Sequence, residues 1–222
     1  MDGNGRWAQE RNLPRSFGHL NGAKNIDRVV NYLQDIGVKY LTLFAFSTEN
    51  WKRSKDEVEF LMSLFRKRLK KVIQDRNQNV KINIIGRKSK LSRDIVSLAR
   101  EVESYSKNNN KLVLNIAIDY GSREEIVSSS KKIFNDILNN KISIGDLDEN
   151  MFNNYLYTNG TPDVDLFIRT AGERRMSNFL LWQSSYAEFV SVKTLWPDFS
   201  QDDIDYSIEE FNKRTRKFGS VN

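Results

Sequence analysis

Short, densely apolar runs alternate with longer stretches of helical periodicity, and this alternation restricts the fold more than any other feature of the chain. Tyr40 to Phe46, Val80 to Ile85 and Leu112 to Ile118 are too short for core helices and too apolar for strands with one wet face, so they read as buried strands. Ahead of the first, Ala23, Ile26, Val29, Val30 and Leu33 recur at helical spacing, and Gly37 supplies a stop signal. Ser54 to Glu57 has capping-box spacing, after which Val58, Leu61, Leu64, Phe65, Leu69, Val72 and Ile73 sustain a long amphipathic helix with a broad apolar face. A charged helix is expected from Arg93 to Lys107, with the turn at Asn108 to Asn110. Ser122 to Glu125 cap another helix that is expected to bury Ile126, Val127, Ile133, Phe134 and Leu138. Val164 to Ile168 and Glu188 to Val192 read as short strands, and Ile204, Ile208, Phe211 and Phe218 as the apolar side of a C-terminal helix. Strands separated by helices pair in parallel and are covered on both faces. The expected fold class is therefore α/β, a single domain with a largely parallel central sheet flanked by helices.

In such sheets ligands bind outside the carboxyl ends of the strands. Three loops are placed to share that rim. Asp2, Gly3, Asn4, Gly5 and Arg6 lead into the first helix, Ser47 to Trp51 follow the strand ending at Phe46, and Arg169 follows the strand ending at Ile168. The first loop sets an acid, two glycines and an arginine within five positions. Backbone amides and a guanidinium can then converge on a phosphate while a carboxylate faces a metal. The third carries Arg169, Arg175 and Ser177 around an Ala-Gly turn. Both read as parts of a diphosphate site.

Composition supports this reading without selecting it. The 222 residues are 39% hydrophobic, enough for a packed core, and 35 Lys and Arg against 29 Asp and Glu leave a net charge of +6. That excess favours anionic partners: diphosphates, nucleic acids or anionic lipid surfaces. The absence of cysteine excludes a disulfide framework and thiolate metal sites and agrees with a reducing cytosol. No apolar run is long enough to span a bilayer.

The motifs together resemble the cis-prenyltransferases, and among them the bacterial undecaprenyl diphosphate synthase branch. The resemblance rests on Asp-Gly-Asn-Gly-Arg-Trp-Ala from Asp2, Phe-Gly-His at 17–19, and Ala-Phe-Ser-Thr-Glu-Asn-Trp at 45–51. It continues through Asn-Ile-Ala at 115–117, Asp-Val-Asp-Leu-Phe-Ile-Arg-Thr at 163–170 and Ser-Asn-Phe-Leu-Leu-Trp-Gln at 177–183. It implies sequential, Mg²⁺-dependent condensation of isopentenyl diphosphate onto farnesyl diphosphate with Z double bonds, in a cytoplasmic homodimer that touches the inner membrane face peripherally. The product implied is undecaprenyl diphosphate, precursor of the lipid carrier for cell-wall glycans such as peptidoglycan. No nucleic acid is expected as a partner.

Residue by residue, the resemblance implies that Asp2 faces the metal and helps remove the condensation proton, with the dominant role open. The amides of Gly3, Asn4, Gly5 and Arg6, with Trp7, the side chains of Arg6 and Arg15, and His19 and Arg53, would face the allylic diphosphate. Arg169, Arg175 and Ser177 would grip isopentenyl diphosphate, and Glu188 would bind metal across the dimer interface. Ser47, Thr48, Glu49, Asn50 and Trp51 would stand over the reacting carbons, with Asn50 or Ser47 as proton relay and Trp51 in a mobile lid. The apolar tail is expected in a channel between the helix from Asp56 onward and the strands at Tyr40 to Phe46 and Val80 to Ile85.

The family has an apolar strand just ahead of Met-Asp-Gly-Asn-Gly, so the expectation for residues 1–222 is a single domain in which either that strand lies upstream of Met1 or the sheet lacks that edge. Where the family has Thr-Gly-Gly-Glu this chain has Thr170, Ala171, Gly172 and Glu173, which places Ala171 in a backbone conformation that glycine usually provides. Competing readings are plainer. Trp182 and Trp196 read as core residues, Gln201 to Asp205 as an acidic helix start, and Arg66 to Lys71 as a solvated helix face. A shorter-chain cis-prenyltransferase keeps every motif. A noncatalytic subunit would lose site residues that are present here, and a nucleic-acid-binding module would cluster basic residues that are here dispersed.

Overall fold

The computed structural model describes residues 1–75 and 79–215. Helices α1 (Asn4–Glu10) and α2 (Arg15–Asp35) lead to β1 (Tyr40–Ser47), a 3-10 segment (Thr48–Lys52) and α3 (Lys55–Asp75). Then follow β2 (Val80–Ile85), α4 (Arg93–Ser106), β3 (Leu112–Tyr120), α5 (Ser122–Leu138) and the short α6 (Glu149–Asn153). The chain continues through β4 (Leu166–Arg169), β5 (Glu188–Ser191) and α7 (Gln201–Asn212). Phe218 lies outside the described residues.

All pairings are parallel. Three strands run in the order β1-β3-β2, and β4 and β5 form a second pair. Met1 and Asp2 pass between the two: the Met1 nitrogen donates to the Phe44 carbonyl at 2.7 Å, and the Asp2 amide donates to the Thr170 hydroxyl at 3.1 Å. β3 is buried almost throughout, as a central parallel strand requires. The main core joins Val29 and Leu33 of α2, Leu43 and Phe46 of β1, Leu112, Leu114 and Ile118 of β3, Ile95, Ala99 and Val102 of α4, and Trp196 and Phe199.

Close helix contact sets α1 on α2. A Cβ on Gly18 would stand 1.8 Å from the Asn4 carbonyl oxygen, so only glycine admits that approach. Near its C-terminal end the β1–β3 register slips twice, from Phe44↔Ala117 to Phe46↔Ile118 to Ser47↔Tyr120. Ala45 and then Asp119 are the extra residues, and such bulges re-aim side chains at a strand end.

Two sequence expectations need correction. Helix α5 buries Ser122, Glu125, Ser129 and Ile133, while Val127, Phe134 and Leu138 are exposed. The helix turns its polar stripe inward because Glu125 finds buried donors there. The acidic start of α7 behaves as expected, with Asp203 accepting from the Ser200 amide at 2.9 Å. Of the two tryptophans expected in the core, Trp196 is buried and donates to the Gly22 carbonyl at 2.7 Å. Trp182 is half-buried, stacked obliquely on Phe152.

Candidate active site

A cavity of about 1380 Å³ runs along β1, from Ser47 at its carboxyl end back to Lys39 at its start. Its far walls are α2 through Val29 and Leu33, strand β4, and α7 through Ile204, Ile208 and Phe211. This corrects the expected channel. Leu61 is the one α3 residue on the wall and β2 contributes none, because the broad face of α3 is half-buried against α4 and α2. Periodicity identified an apolar face; tertiary packing chose its neighbour.

At the Ser47 end the wall becomes polar. Asp2 Oδ2 accepts from Arg169 Nε at 2.9 Å, and Arg169 Nη1 donates to Ser177 Oγ at 2.9 Å. The Arg169 side chain is only 10% exposed whereas Asp2 is 40% exposed, so a buried guanidinium orients a carboxylate that still meets the cavity. Thr170 fixes the pair by donating its hydroxyl to the Asp2 carbonyl at 2.9 Å. Arg6 caps the other side, donating to the Ala171 carbonyl at 3.0 Å and to Glu173 at 3.1 Å. Arg15 lies over the start of α1, where a Cβ on Gly5 would stand 3.0 Å from its guanidinium carbon.

Glu57 is the residue that sequence reasoning missed here. Its spacing from Ser54 is that of a capping box, yet its Oε1 accepts from Arg53 at 2.9 Å and faces His19 Nε2 at 3.3 Å and Arg15 at 3.6 Å. One carboxylate thus gathers three cavity-wall side chains. Burial lowers the pKa of His19, against the opposing pull of Glu57. Burial alone would raise Glu57, but Arg53 and Arg15 bring it below the usual carboxylate range. A capping acid three residues after a serine carries no signal of this second use.

The Ser47 loop is organised by its own side chains: the Ser47 amide donates to Asn50 Oδ1 at 3.0 Å. Glu49 accepts from Asn178 at 2.9 Å, linking this loop to the one after β4. Asn178 was also missed. Ala171, Ser177 and Asn178 all have positive φ, at 66°, 49° and 63°, so the β4 loop is strained where it carries polar groups. Ala171 holds the glycine-like conformation expected of it.

The structure brings Asp2, Gly3, Asn4, Gly5, Arg6, Arg15, His19, Ser47, Glu49, Asn50, Arg53, Arg169 and Ser177 onto one cavity wall. Five other sequence-selected residues stand off it. Trp7 donates to Asp198 at 2.7 Å beneath the Arg11 guanidinium, and Trp51 donates to Asp119 at 2.7 Å. Thr48 starts the 3-10 segment beside Gly121, and Arg175 pairs with Glu173. Glu188 pairs with Arg214 at 2.7 Å at the start of β5. These positions follow from local partners that a linear motif does not specify.

The family model for undecaprenyl diphosphate synthases matches residues 1–219. The chain belongs to that family. It is a prenyltransferase, and its substrates are isoprenoid diphosphates. The isoprenyl transferase of Fusobacterium nucleatum is 48% identical over 222 residues, covering 100% of this chain and 94% of that protein. The isoprenyl transferase of Aquifex aeolicus is 45% identical over 226 residues, with coverage of 100% and 94%. Among solved structures, lavandulyl diphosphate synthase from Lavandula x intermedia, in complex with dimethylallyl diphosphate, superposes with a TM-score of 0.94 at 35% identity, covering 99% of this chain and 95% of that one. A probable undecaprenyl diphosphate synthase from Campylobacter jejuni gives 0.78 at 35% identity, covering 90% and 92%. Among the described residues no helix is long and apolar enough to cross a membrane.

Proposed function

We propose that this prenyltransferase condenses isopentenyl diphosphate sequentially onto farnesyl diphosphate, forming Z double bonds and ending at undecaprenyl diphosphate, a precursor of the cell-wall lipid carrier. The observation that carries this reading is one continuous cavity with Asp2, Arg6, Arg15, Arg53 and Arg169 at one end and the apolar side chains of α2, β1, β4 and α7 beyond them. At about 1380 Å³ it exceeds the roughly 300–1,000 Å³ of common small-ligand pockets, as a long tail requires.

An allylic diphosphate must leave as carbocation character develops, so the barrier falls when its charge is neutralised in advance. Arg6, Arg15 and Arg53, with His19 and the amides at the start of α1, are proposed to hold that leaving group. Arg169 and Ser177, joined by Arg175 when it leaves Glu173, are proposed to hold isopentenyl diphosphate. Ser47 and Asn50 stand over the reacting carbons as candidate proton relays, with Thr48, Glu49 and Trp51 supporting that wall and Trp7 supporting the start of α1 at the allylic diphosphate.

Mg²⁺ binds through one or two carboxylates plus substrate phosphates rather than through an all-protein cage. The donor set fits: Arg169 holds Asp2 Oδ2, while Asp2 Oδ1 accepts no hydrogen bond among the described residues and is open to a cation. Bound there, Mg²⁺ would neutralise diphosphate charge. In a homodimer, Glu188 is proposed to join the metal site of a second copy. The exposed Val127, Phe134 and Leu138 of α5 support such an assembly as an uncovered apolar face. Peripheral contact with the inner membrane face of the cytoplasm is proposed for product release.

The test is incubation with farnesyl diphosphate, labelled isopentenyl diphosphate and Mg²⁺, followed by chromatography of the dephosphorylated products. A Z-polyprenol ladder ending near undecaprenol is expected. A ladder that stops short overturns the product class, and no incorporation overturns catalysis by this chain.

A further inference from the structure

Behind the active-site wall lies an ion pair with a fully buried carboxylate that the chemistry above does not use. Asp119 is fully buried and is the extra residue of the second register slip between β1 and β3. Its backbone is left-handed, at φ 49°, a conformation costly for a residue with a side chain unless the surroundings hold it. The hold is Arg87. Its Nε donates to Oδ2 at 2.9 Å, its Nη2 donates to Oδ1 at 2.8 Å, and its amide donates to the Asp119 carbonyl at 3.1 Å. A bidentate arginine closed by a third, main-chain bond leaves the carboxylate one direction to point.

That direction is Trp51. The indole Nε1 donates to Asp119 Oδ1 at 2.7 Å, and the ring packs edge-on against Phe46 with centroids 5.0 Å apart. Trp51 belongs to the Thr48–Lys52 segment, whose start is tied by the bond from the Ser47 amide to Asn50. The segment is therefore held at its start by itself and near its end by the sheet. Neither Arg87 nor Asp119 lines the active-site cavity, whereas Ser47, Glu49, Asn50 and Arg53 all do.

We propose that Asp119, oriented by Arg87, is a positioning residue that clamps the Thr48–Lys52 segment through Trp51 and so fixes Ser47 and Asn50 over the reacting carbons. This rests on the reading of Ser47 and Asn50 given above. The clamp converts the bulge at the end of β3 into a fixed distance between the sheet and the catalytic loop. It also turns the mobile-lid expectation for Trp51 into a latch with a named catch.

Three variants of the full-length protein test it. Trp51→Phe keeps an aromatic ring beside Phe46 and removes the donor. Asp119→Asn keeps an oxygen acceptor and removes the ion pair. The third is the double variant. Hydrogen exchange of the amides from Glu49 to Arg53 is measured alongside kcat, the KM for isopentenyl diphosphate and the Kd of farnesyl diphosphate. Trp51→Phe is expected to raise that exchange about tenfold and to lower kcat about tenfold, with farnesyl diphosphate binding changed less than about twofold, because a hydrogen bond to a charged acceptor is lost. Asp119→Asn is expected to lower kcat about threefold, and the double variant to be no worse than Trp51→Phe, since both changes break one link. Unchanged exchange in Trp51→Phe, or losses that multiply in the double variant, overturn the clamp. Raised exchange with kcat and KM intact overturns its role in turnover and locates the failure in the reading of Ser47 and Asn50.

Discussion

Two polar clusters in this molecule use the same kinds of side chain and differ in how completely they are closed. At the cavity, Asp2 meets Arg169, and Glu57 meets Arg53, His19 and Arg15, yet the side chains of Arg15 and Arg6 remain 66% and 49% exposed. Around Glu125 the carboxylate itself is closed. Its Oε2 accepts from the Tyr120 hydroxyl at 2.6 Å and from Gln183 at 3.1 Å, and its Oε1 accepts from the Tyr157 amide at 2.8 Å. Glu125 is fully buried, and burial raises its pKa despite three donors. A buried polar knot joins β3, α5 and the loops before and after β4. Half-satisfied cations facing a cavity keep their interaction energy for a ligand, so closure separates architecture from chemistry.

The comparison breaks most visibly at Asp2. Replacing it with alanine is expected to lower kcat by roughly 10³-fold or more while farnesyl diphosphate still binds, since a charge-stabilising group is lost only where charge develops. Turnover within tenfold of the parent, with radiolabelled isopentenyl diphosphate as reporter, would remove Asp2 from the chemistry. Glu125→Leu should show the opposite pattern. It leaves the Tyr157 amide unpaired and strips the Tyr120 hydroxyl and the Gln183 amide down to Ser122 and Thr158, a loss of about 2–4 kcal/mol in urea unfolding, with kcat near the parent value in the fraction that stays folded. A stable but inactive Glu125→Leu protein would move that knot into the active site.

The pH dependence of stability sharpens the same contrast. Burial lowers the His19 pKa, so the unfolded chain binds its proton more readily than the folded one. The contribution of His19 is fully present above about 6.5 and is lost as pH falls through the lowered folded value. Glu125, raised by burial, has the opposite sign: its contribution is fully present below about 4.3 and is lost as pH rises through the raised folded value. Urea midpoints between pH 7.5 and 5.5 should therefore fall less in His19→Gln than in the parent; equal falls would exclude His19 as the source. The smallest effect belongs to the strained loop. Ala171→Gly relieves a positive φ of 66° and is expected to add about 1 kcal/mol of stability with little change in kcat, unless the strain itself sets the Arg6 contact at the Ala171 carbonyl.

Much of the fold was legible from periodicity. The strands at Tyr40, Val80 and Leu112 start where their apolar runs start, and the Gly37 stop and the acidic start of α7 are where local chemistry puts them. Local signals of this kind depend on neighbours in sequence. The apolar positions of α5 misled, because Val127, Phe134 and Leu138 have helical spacing but the helix presents Glu125 and Ser129 to the interior. Within the candidate site, residue type announced Arg6 and Arg169, whose chemistry suits diphosphate wherever they lie, and Asp2, whose carboxylate suits the accompanying metal. Glu57, Asn178, Arg87 and Asp119 were not announced, because each acts on a group brought near by another element.

The sequence by itself determined that strands and helices alternate and that the sheet is parallel, and it singled out the Asp2 to Arg6 loop and the loop after β4 as candidates for diphosphate chemistry. Tertiary structure alone decided that Asp2 meets Arg169, that the cavity runs along α2 and α7 rather than between α3 and β2, and that Asp119 reaches Trp51. The division has a physical reason. Backbone periodicity and capping are set by interactions within a few residues, whereas partners of buried charges are chosen by packing, which brings together groups separated by most of the chain.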